Sequence, residues 1–308
     1  MSLRPYSKSA ITFANQVIRL EDKGMVFDNK IAAEKKLASI NYYRLSGYWY
    51  PFRIRNANDE VTNQFEAGTN FSKVIEIYEF DRRLRFLVLD AIERVEIAVR
   101  TQFTYHIGCQ YGAFGHTNKA NFHRKFQHGI WISHIEKEID RSSDVFIQHF
   151  KSKYTGFPTI PVWMLTEVIS LGSLSRGYKG LKNDSASGIG DKKIIAQHFD
   201  VHHKKLEDWL HTLSYIRNIC AHHGRLWNRN LVIRPGRTKE RNWIPPITPR
   251  QDRLFFILLI LRHLLRATGN GDDWAQAINR LLEPLASETR WRAAMGLPED
   301  WKTHPVWR

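Results

Sequence analysis

Apolar residues recur three and four positions apart over most of this chain, the repeat of a helix with one buried stripe. The clearest run covers residues 71–107. Ile77, Leu84, Val88, Ile92, Val95, Val99 and Phe103 fall on one side, and Glu79, Arg82, Arg83, Glu93 and Glu96 decorate the other. Neither glycine nor proline interrupts it, so one long helix is predicted, with Gly108 as its stop. A second run covers 204–222, where Leu206, Trp209, Leu210, Leu213, Ile216 and Cys220 keep the same spacing. Gly224 is the expected left-handed residue that ends it. Shorter helices are predicted near 11–18, 30–40, 131–141, 144–154, 162–181, 194–199 and 273–285. Residues 254–265 are apolar nearly all round, the mark of a helix buried on most sides. Gly172 and Gly177 inside 162–181 predict close helix approach or a kink.

No alternating strand pattern runs beyond a few residues, and no internal repeat is present. The fold class is therefore all-α. A helical bundle over 71–285 follows a small helical and aromatic segment, 1–70, and precedes a tail, 286–308, whose tryptophans form no readable pattern. Residues 108–130 read as loop. The Gly, Ser and Asp content of 183–191 makes it the best candidate for local mobility. Residues 225–250 form an irregular run with four prolines and many arginines.

Composition sharpens this picture. The chain has 308 residues and is 43% hydrophobic, enough for a proper core. Lys plus Arg number 46 against 31 Asp plus Glu, a net charge of +15, which favours a polyanionic partner, most simply nucleic acid, beside the plainer reading of a generally soluble basic surface. Cys109 and Cys220 are the only cysteines, too few for a disulfide framework or a four-cysteine zinc site. His116, His123 and His128 have no metal-ligand spacing, so neither metal nor cofactor is expected. The start of the chain lacks the apolar core of a signal peptide, and no apolar run approaches the roughly 20 residues of a membrane span. A cytoplasmic protein without membrane attachment is expected.

Candidate chemistry gathers at the end of the 204–222 helix. With about 100° per residue and Leu206 at zero, the apolar stripe centres near 330°. Arg217 falls at about 20°, on its edge, while Asn218 and His222 fall at about 120° and 160°, stacked as an i, i+4 pair. Asn218 is placed to hydrogen-bond the His222 ring and fix its tautomer. His222 sits where the negative end of the helix dipole favours imidazolium. An always-charged arginine, an orienting amide and a histidine are the parts needed to cleave a phosphodiester without metal. A structural alternative stands beside this, with His222 satisfied at the helix end and Arg217 in an ion pair. His223 points about 100° further round and is a supporting candidate.

Arg217-Asn218-x-x-x-His222 resembles the Arg-x(4–6)-His motif of the HEPN superfamily. With His223-Gly224-Arg225-Leu226-Trp227-Asn228 the likeness narrows to the Abi (AbiD/AbiF-type) abortive-infection proteins of bacteria. Two further stretches carry it. One is Asn41-Tyr42-Tyr43-Arg44-Leu45-Ser46-Gly47-Tyr48-Trp49-Tyr50-Pro51-Phe52-Arg53, the other Pro161-Val162-Trp163-Met164-Leu165-Thr166-Glu167-Val168-Ile169-Ser170-Leu171-Gly172. The resemblance spans roughly residues 11–285. It implies a HEPN-like bundle and a homodimer whose two motifs face a shared cleft, with Tyr215 and Ile219 suited to the partner. That arrangement would answer a geometric difficulty, because Arg217 and His222 lie about 140° apart on one helix.

The expected activity is that of a toxin-like, metal-independent endoribonuclease in phage defence, using the RNA's own 2′-OH as nucleophile. His222 would transfer protons, Arg217 would offset phosphorane charge and Asn218 would hold the ring. The alternative is a non-catalytic RNA-binding or regulatory module holding a small non-coding RNA. Arg100 and His106 also have motif spacing, although Arg100 lies four residues after Glu96 and can simply pair with it. Glu93 is a further supporting candidate, against a plain solvated carboxylate. Arg225, Arg229, Arg234 and Arg237 are candidate phosphate contacts. Tyr42–Phe52 interleaves aromatic rings with Arg44 and Arg53, and reads either as a packing block or as a surface for unpaired bases.

Overall fold

The structure is a computed structural model that describes residues 5, 7, 9–183, 189–236, 243, 249–269, 271–286 and 288–308. Residues 184–188 of the expected mobile loop, and Arg237, lie outside the described residues. The chain is 65% helical, and its only described sheet has two short strands, so the architecture is all-α. It forms two compact units, residues 1–83 and 84–308.

In the first unit α1 (Phe13–Glu21) packs on α2 (Lys30–Ile40), which meets α3 (Tyr42–Trp49). Asn41, in the left-handed region at φ 75°, turns the chain between α2 and α3, and its side chain caps the Tyr43 N–H. The aromatic block divides. Leu45, Tyr48 and Trp49 are buried, and the Tyr48 hydroxyl donates to Asp81 at 2.6 Å, while Tyr43 and Tyr50 stay exposed. A hairpin not expected from the sequence follows, β1 (Arg53–Arg55) antiparallel to β2 (Val61–Phe65). Its strands of three and five residues are too short to display a period of two.

The long helix is present as α4, Phe71–Tyr111, and all seven residues assigned to its apolar side are buried. Gly108 does not stop it. The left-handed residue is Gly112, φ 79°, and the Tyr111 hydroxyl secures the last turn by donating to Asp191 at 2.9 and 3.0 Å.

The second unit continues through α5 (His128–Arg141), α6 (Val145–Lys153), α7 (Val162–Val168), α8 (Leu171–Gly180), α9 (Asp191–Gln197) and α10 (His203–Ala221). The 162–181 run is two helices rather than one. Ser170 caps α8 through the Ser173 N–H, and Glu138 accepts from both the amide and the hydroxyl of Ser170. Gly177 does serve close packing, since a Cβ there would lie 2.8 Å from Trp131 Cζ2. After α10 come α11 (Leu254–Ala267), α12 (Asp272–Ala286) and α13 (Thr289–Met295). Residues 254–262 of α11 are buried without a break, as the all-round apolar run predicts. The tail is core rather than appendage. Trp291, Trp301 and Trp307 are buried, with Trp307 6.0 Å from Trp274 and 6.2 Å from Phe255, ring centre to ring centre.

Candidate functional site

Helix α10 is fixed along its buried face by α8 and α9. Leu206, Trp209, Leu210, Leu213, Ile216 and Cys220 are all buried, as the 3,4 spacing requires. Near its start, Glu207 accepts from Lys192 at 3.0 Å and faces Lys179 at 3.3 Å, while the Tyr178 hydroxyl donates to the carbonyls of Lys192 and His203. The Trp209 ring lies 5.5 Å from those of Trp243 and His263. This anchoring makes α10 a rigid post for whatever its far end carries.

At that end the helix closes with the two bonds of a Schellman turn. Gly224 N–H donates to Ile219 O at 2.7 Å and His223 N–H to Cys220 O at 3.0 Å. His222 is the C-cap residue, and His223, not Gly224, takes the left-handed conformation at φ 57°. Gly224 is needed for a different reason. A Cβ there would sit 3.1 Å from both Ile219 Cγ2 and Ile219 O, tighter than a normal contact.

Arg217, Asn218, His222 and His223 are all exposed. Among the described residues the side chains of Arg217, Asn218 and His222 have no hydrogen bond or ion pair. The ion pair that would make Arg217 structural is therefore absent from the described residues, and so is the expected Asn218–His222 bond. Ile219 is buried against the Gly224 turn and is not free for a partner subunit, and Tyr215 is half-buried. His211, not singled out from the sequence, is exposed on the same stripe as Asn218 and His222. Its spacing of seven residues from Asn218 was the available signal.

The other candidates are placed differently. Arg100 pairs with Glu96 and donates to Ile169 O at 2.8 Å, and His106 Nε2 lies 2.7 Å from Asp191 Oδ1. Both belong to α4 and sit in largely buried pairs, Arg100 with Glu96 of the same helix and His106 with Asp191 of α9, and the i, i+4 spacing explains Arg100 by itself. Burial first, then the hydrogen bond to Asp191, pushes the Tyr111 hydroxyl beside this pair up to about 12. Glu93 is exposed. Arg225 and Arg229 are half-buried, and Arg234 is exposed with its Nε donating to Leu231 O at 3.1 Å. The segment they occupy folds back along α10, bringing Gly236 against Asp208. His116 and His128 belong to the core. Burial pulls the His116 ring down to about 4, and His128 Nε2 meets the His116 carbonyl at 2.9 Å. No group of three metal-ligating side chains occurs among the described residues, and no described helix is long and apolar enough to cross a membrane.

A family profile described as Abi-like protein matches residues 35–228, which takes in the aromatic block, α7 and α8, and ends just past the α10 cap. No curated protein and no solved structure gives a match.

Proposed function

We propose, from the premise that this chain belongs to the Abi-like protein family, that it is a HEPN-type endoribonuclease whose active groups are Arg217, Asn218 and His222. The family carries a role in phage resistance by abortive infection. What supports the nuclease reading is that these three polar side chains stand open at the end of a firmly packed helix with no structural partner among the described residues. A guanidinium, an amide and an imidazole within six residues contribute nothing to the core around them, whereas Arg100 and His106 are taken up by buried pairs.

The chemistry follows from the groups. His222 accepts the proton of an RNA 2′-OH, whose oxygen attacks the adjacent phosphorus. The 5′-oxygen departs and is protonated, leaving 2′,3′-cyclic phosphate and 5′-OH ends. Proton transfer by a placed histidine is worth about 10²–10⁴ in rate. Arg217 offsets the charge that grows on the phosphorane oxygens, a task its planar, permanently charged fork suits. Asn218 orients the substrate or the ring. A homodimer that faces two such sites across one cleft supplies a histidine and an arginine to the same phosphate from different copies.

The test is cleavage of RNA and matched DNA in EDTA by protein stripped of nucleic acid, with Arg217→Ala and His222→Ala beside the wild type. RNA-only cutting that leaves cyclic phosphate and disappears in both variants is expected. Tight RNA binding without cutting, unchanged in the variants, would replace this reading with the non-catalytic RNA-binding module.

A further inference from the structure

Helix α10 begins in a cluster of positive charge. The His123 N–H donates to Gly180 O at 2.9 Å and Phe122 bridges to Leu181, which ties residues 119–125 to the end of α8. The Tyr178 hydroxyl donates to the carbonyls of Lys192 and His203, which ties that end to the starts of α9 and α10. Packing at this joint is close, since a Cβ on Gly180 would lie 2.6 Å from the Phe126 ring. Burial first, and then the Lys192 charge, push the His123 ring below its ordinary value. Lys119, Arg124, Lys125, Arg176, Lys179 and Lys204 are exposed around the joint. All but Lys179 lack an ion pair among the described residues. Residues 109–135 include no Asp or Glu. Among the described residues of 171–183 and 189–207 the carboxylates are Asp191, Asp200 and Glu207. Asp191 is buried with His106 and Tyr111, and Glu207 is taken by Lys192 and Lys179. Asp200 alone of the three is exposed. Unpaired like charges held together repel one another and weaken the fold, so their use lies in a polyanion.

Lys204 also starts a line. Eighteen residues make five turns of a helix, so Lys204 and His222 stand on one side of α10, about 27 Å apart. His211 and Asn218 fall on the same side between them, and all four are exposed. Asp208 stands about 40° round from this line, against Gly236. A lipid surface or an acidic protein face would meet the cluster but would not follow one helix in single file, whereas a strand of evenly spaced phosphates does both. At about 3.4 Å per phosphate, a stacked strand covers the distance with roughly eight nucleotides. We propose that the cluster at the start of α10 grips the phosphate backbone of a single-stranded RNA whose cleaved bond lies at the other end of the helix, roughly eight nucleotides away. That the polyanion is RNA, and that it is cut, rests on the reading of Arg217 and His222 above. The place of the grip rests on the charges.

The experiment measures fluorescence anisotropy of a 2′-O-methyl oligouridylate of about 20 nucleotides, long enough to span the line, with full-length protein freed of nucleic acid. Such a strand lacks the attacking hydroxyl, so binding is read whether or not the protein cuts. Three variants are compared: the wild type, the triple Arg124→Ala, Lys125→Ala, Lys204→Ala, and a control triple that removes equal charge elsewhere, Lys137→Ala, Lys151→Ala, Lys153→Ala. All six replaced side chains are exposed, so melting temperatures stay level. Each lost phosphate contact costs about 5-fold at 0.1 M salt, so the patch triple binds roughly 100-fold more weakly, and its slope of log affinity against log salt is shallower by about 2. The control triple stays close to the wild type. Unchanged binding in the patch triple, or an equal loss in both triples, overturns the proposal. It also falls if the patch triple loses only its binding to vesicles of anionic phospholipid. In cleavage assays the patch triple raises KM for the long RNA with kcat unchanged, and leaves a substrate of about four nucleotides, too short to span the line, unaffected. An equal rise in KM for the short substrate overturns the remote grip. Cutting that needs Arg217 and His222 alongside unchanged binding in the patch triple would remove the grip alone. Weakened binding in the patch triple without any cutting by the wild type would remove the nuclease alone.

Discussion

His223 holds a backbone conformation that costs a residue with a Cβ about 1–2 kcal/mol, at φ 57° in the turn that closes α10. Two substitutions there isolate that cost. His223→Ala and His223→Gly both remove the ring with whatever it touches, and they differ only in the Cβ. Glycine regains the strain but gives up some chain entropy, so His223→Gly should be more stable than His223→Ala by about 1 kcal/mol. For a unit the size of residues 84–308 that is a melting difference of roughly 2–4 °C. Ala221→Gly, two residues earlier in the regular helix, is the control and should cost about 0.5–1 kcal/mol. Differential scanning calorimetry or a urea titration reads all three. A His223→Ala protein as stable as His223→Gly would refute the left-handed assignment, and with it the position of His222 as the last residue before the turn. The same pair bears on chemistry, because both variants keep Arg217, Asn218 and His222. RNA cutting should fall less in either than in His222→Ala.

Two glycines should respond oppositely to alanine. Gly177→Ala forces a Cβ to 2.8 Å from Trp131 and should cost about 1–3 kcal/mol, whereas at Gly108 the nearest atom is Val162 Cγ1 at 3.7 Å, so alanine should stabilise α4 by about 0.5 kcal/mol in a chemical denaturation series. Burial pulls His304 down from 6.5 to about 4, so the unfolded chain binds its proton first as pH falls. The stability due to its neutral ring is complete above pH 6.5 and declines toward pH 4, by at most about 3 kcal/mol. The His304 ring accepts the Val306 N–H at 3.2 Å, so His304→Asn keeps an acceptor there and should flatten this slope in melting curves taken across that range. An unaltered slope would assign the acid sensitivity elsewhere, His116 being the next group to replace. Asp191 is buried between His106 and Tyr111, so Asp191→Ala should cost about 3 kcal/mol in a denaturant titration by leaving His106 and Tyr111 without their acceptor.

The elements legible in the sequence were those whose pattern repeats over several turns. α4 and α10 carry stripes long enough to give both position and buried face, and α11 is apolar nearly all round, which marks it as buried on most sides. Boundaries were less legible, because a helix end is chosen among nearby residues by contacts that lie far off in the chain. Gly108 and Gly112 are both good stops, and the choice falls to Gly112 with Tyr111 bonded to Asp191, eighty residues away. Gly224 reads as a left-handed cap until Ile219 is seen beneath it. The tail was opaque for a related reason. Trp291, Trp301 and Trp307 follow no period of their own, since each fits into a core already built by α11, α12 and Trp227. At the site, the sequence placed Arg217, Asn218 and His222 at one helix end, but it could not say that all three remain open.

The ring of Trp227, five residues beyond His222, lies 5.1 Å from that of Trp291, and Arg253 reaches both the Asn228 side chain at 3.3 Å and the Ala294 carbonyl at 3.3 Å. Chains are synthesised from the amino end, so α10 leaves the ribosome well before the residues that cover its exit. Until Trp291 and Ala294 have emerged, the stretch after His222 lacks the packing that fixes it. A ribosome-bound chain ending short of α13 therefore carries a formed α10 whose exit is still uncovered, and the site proposed at Arg217 and His222 gains its final flank only once translation has passed α13.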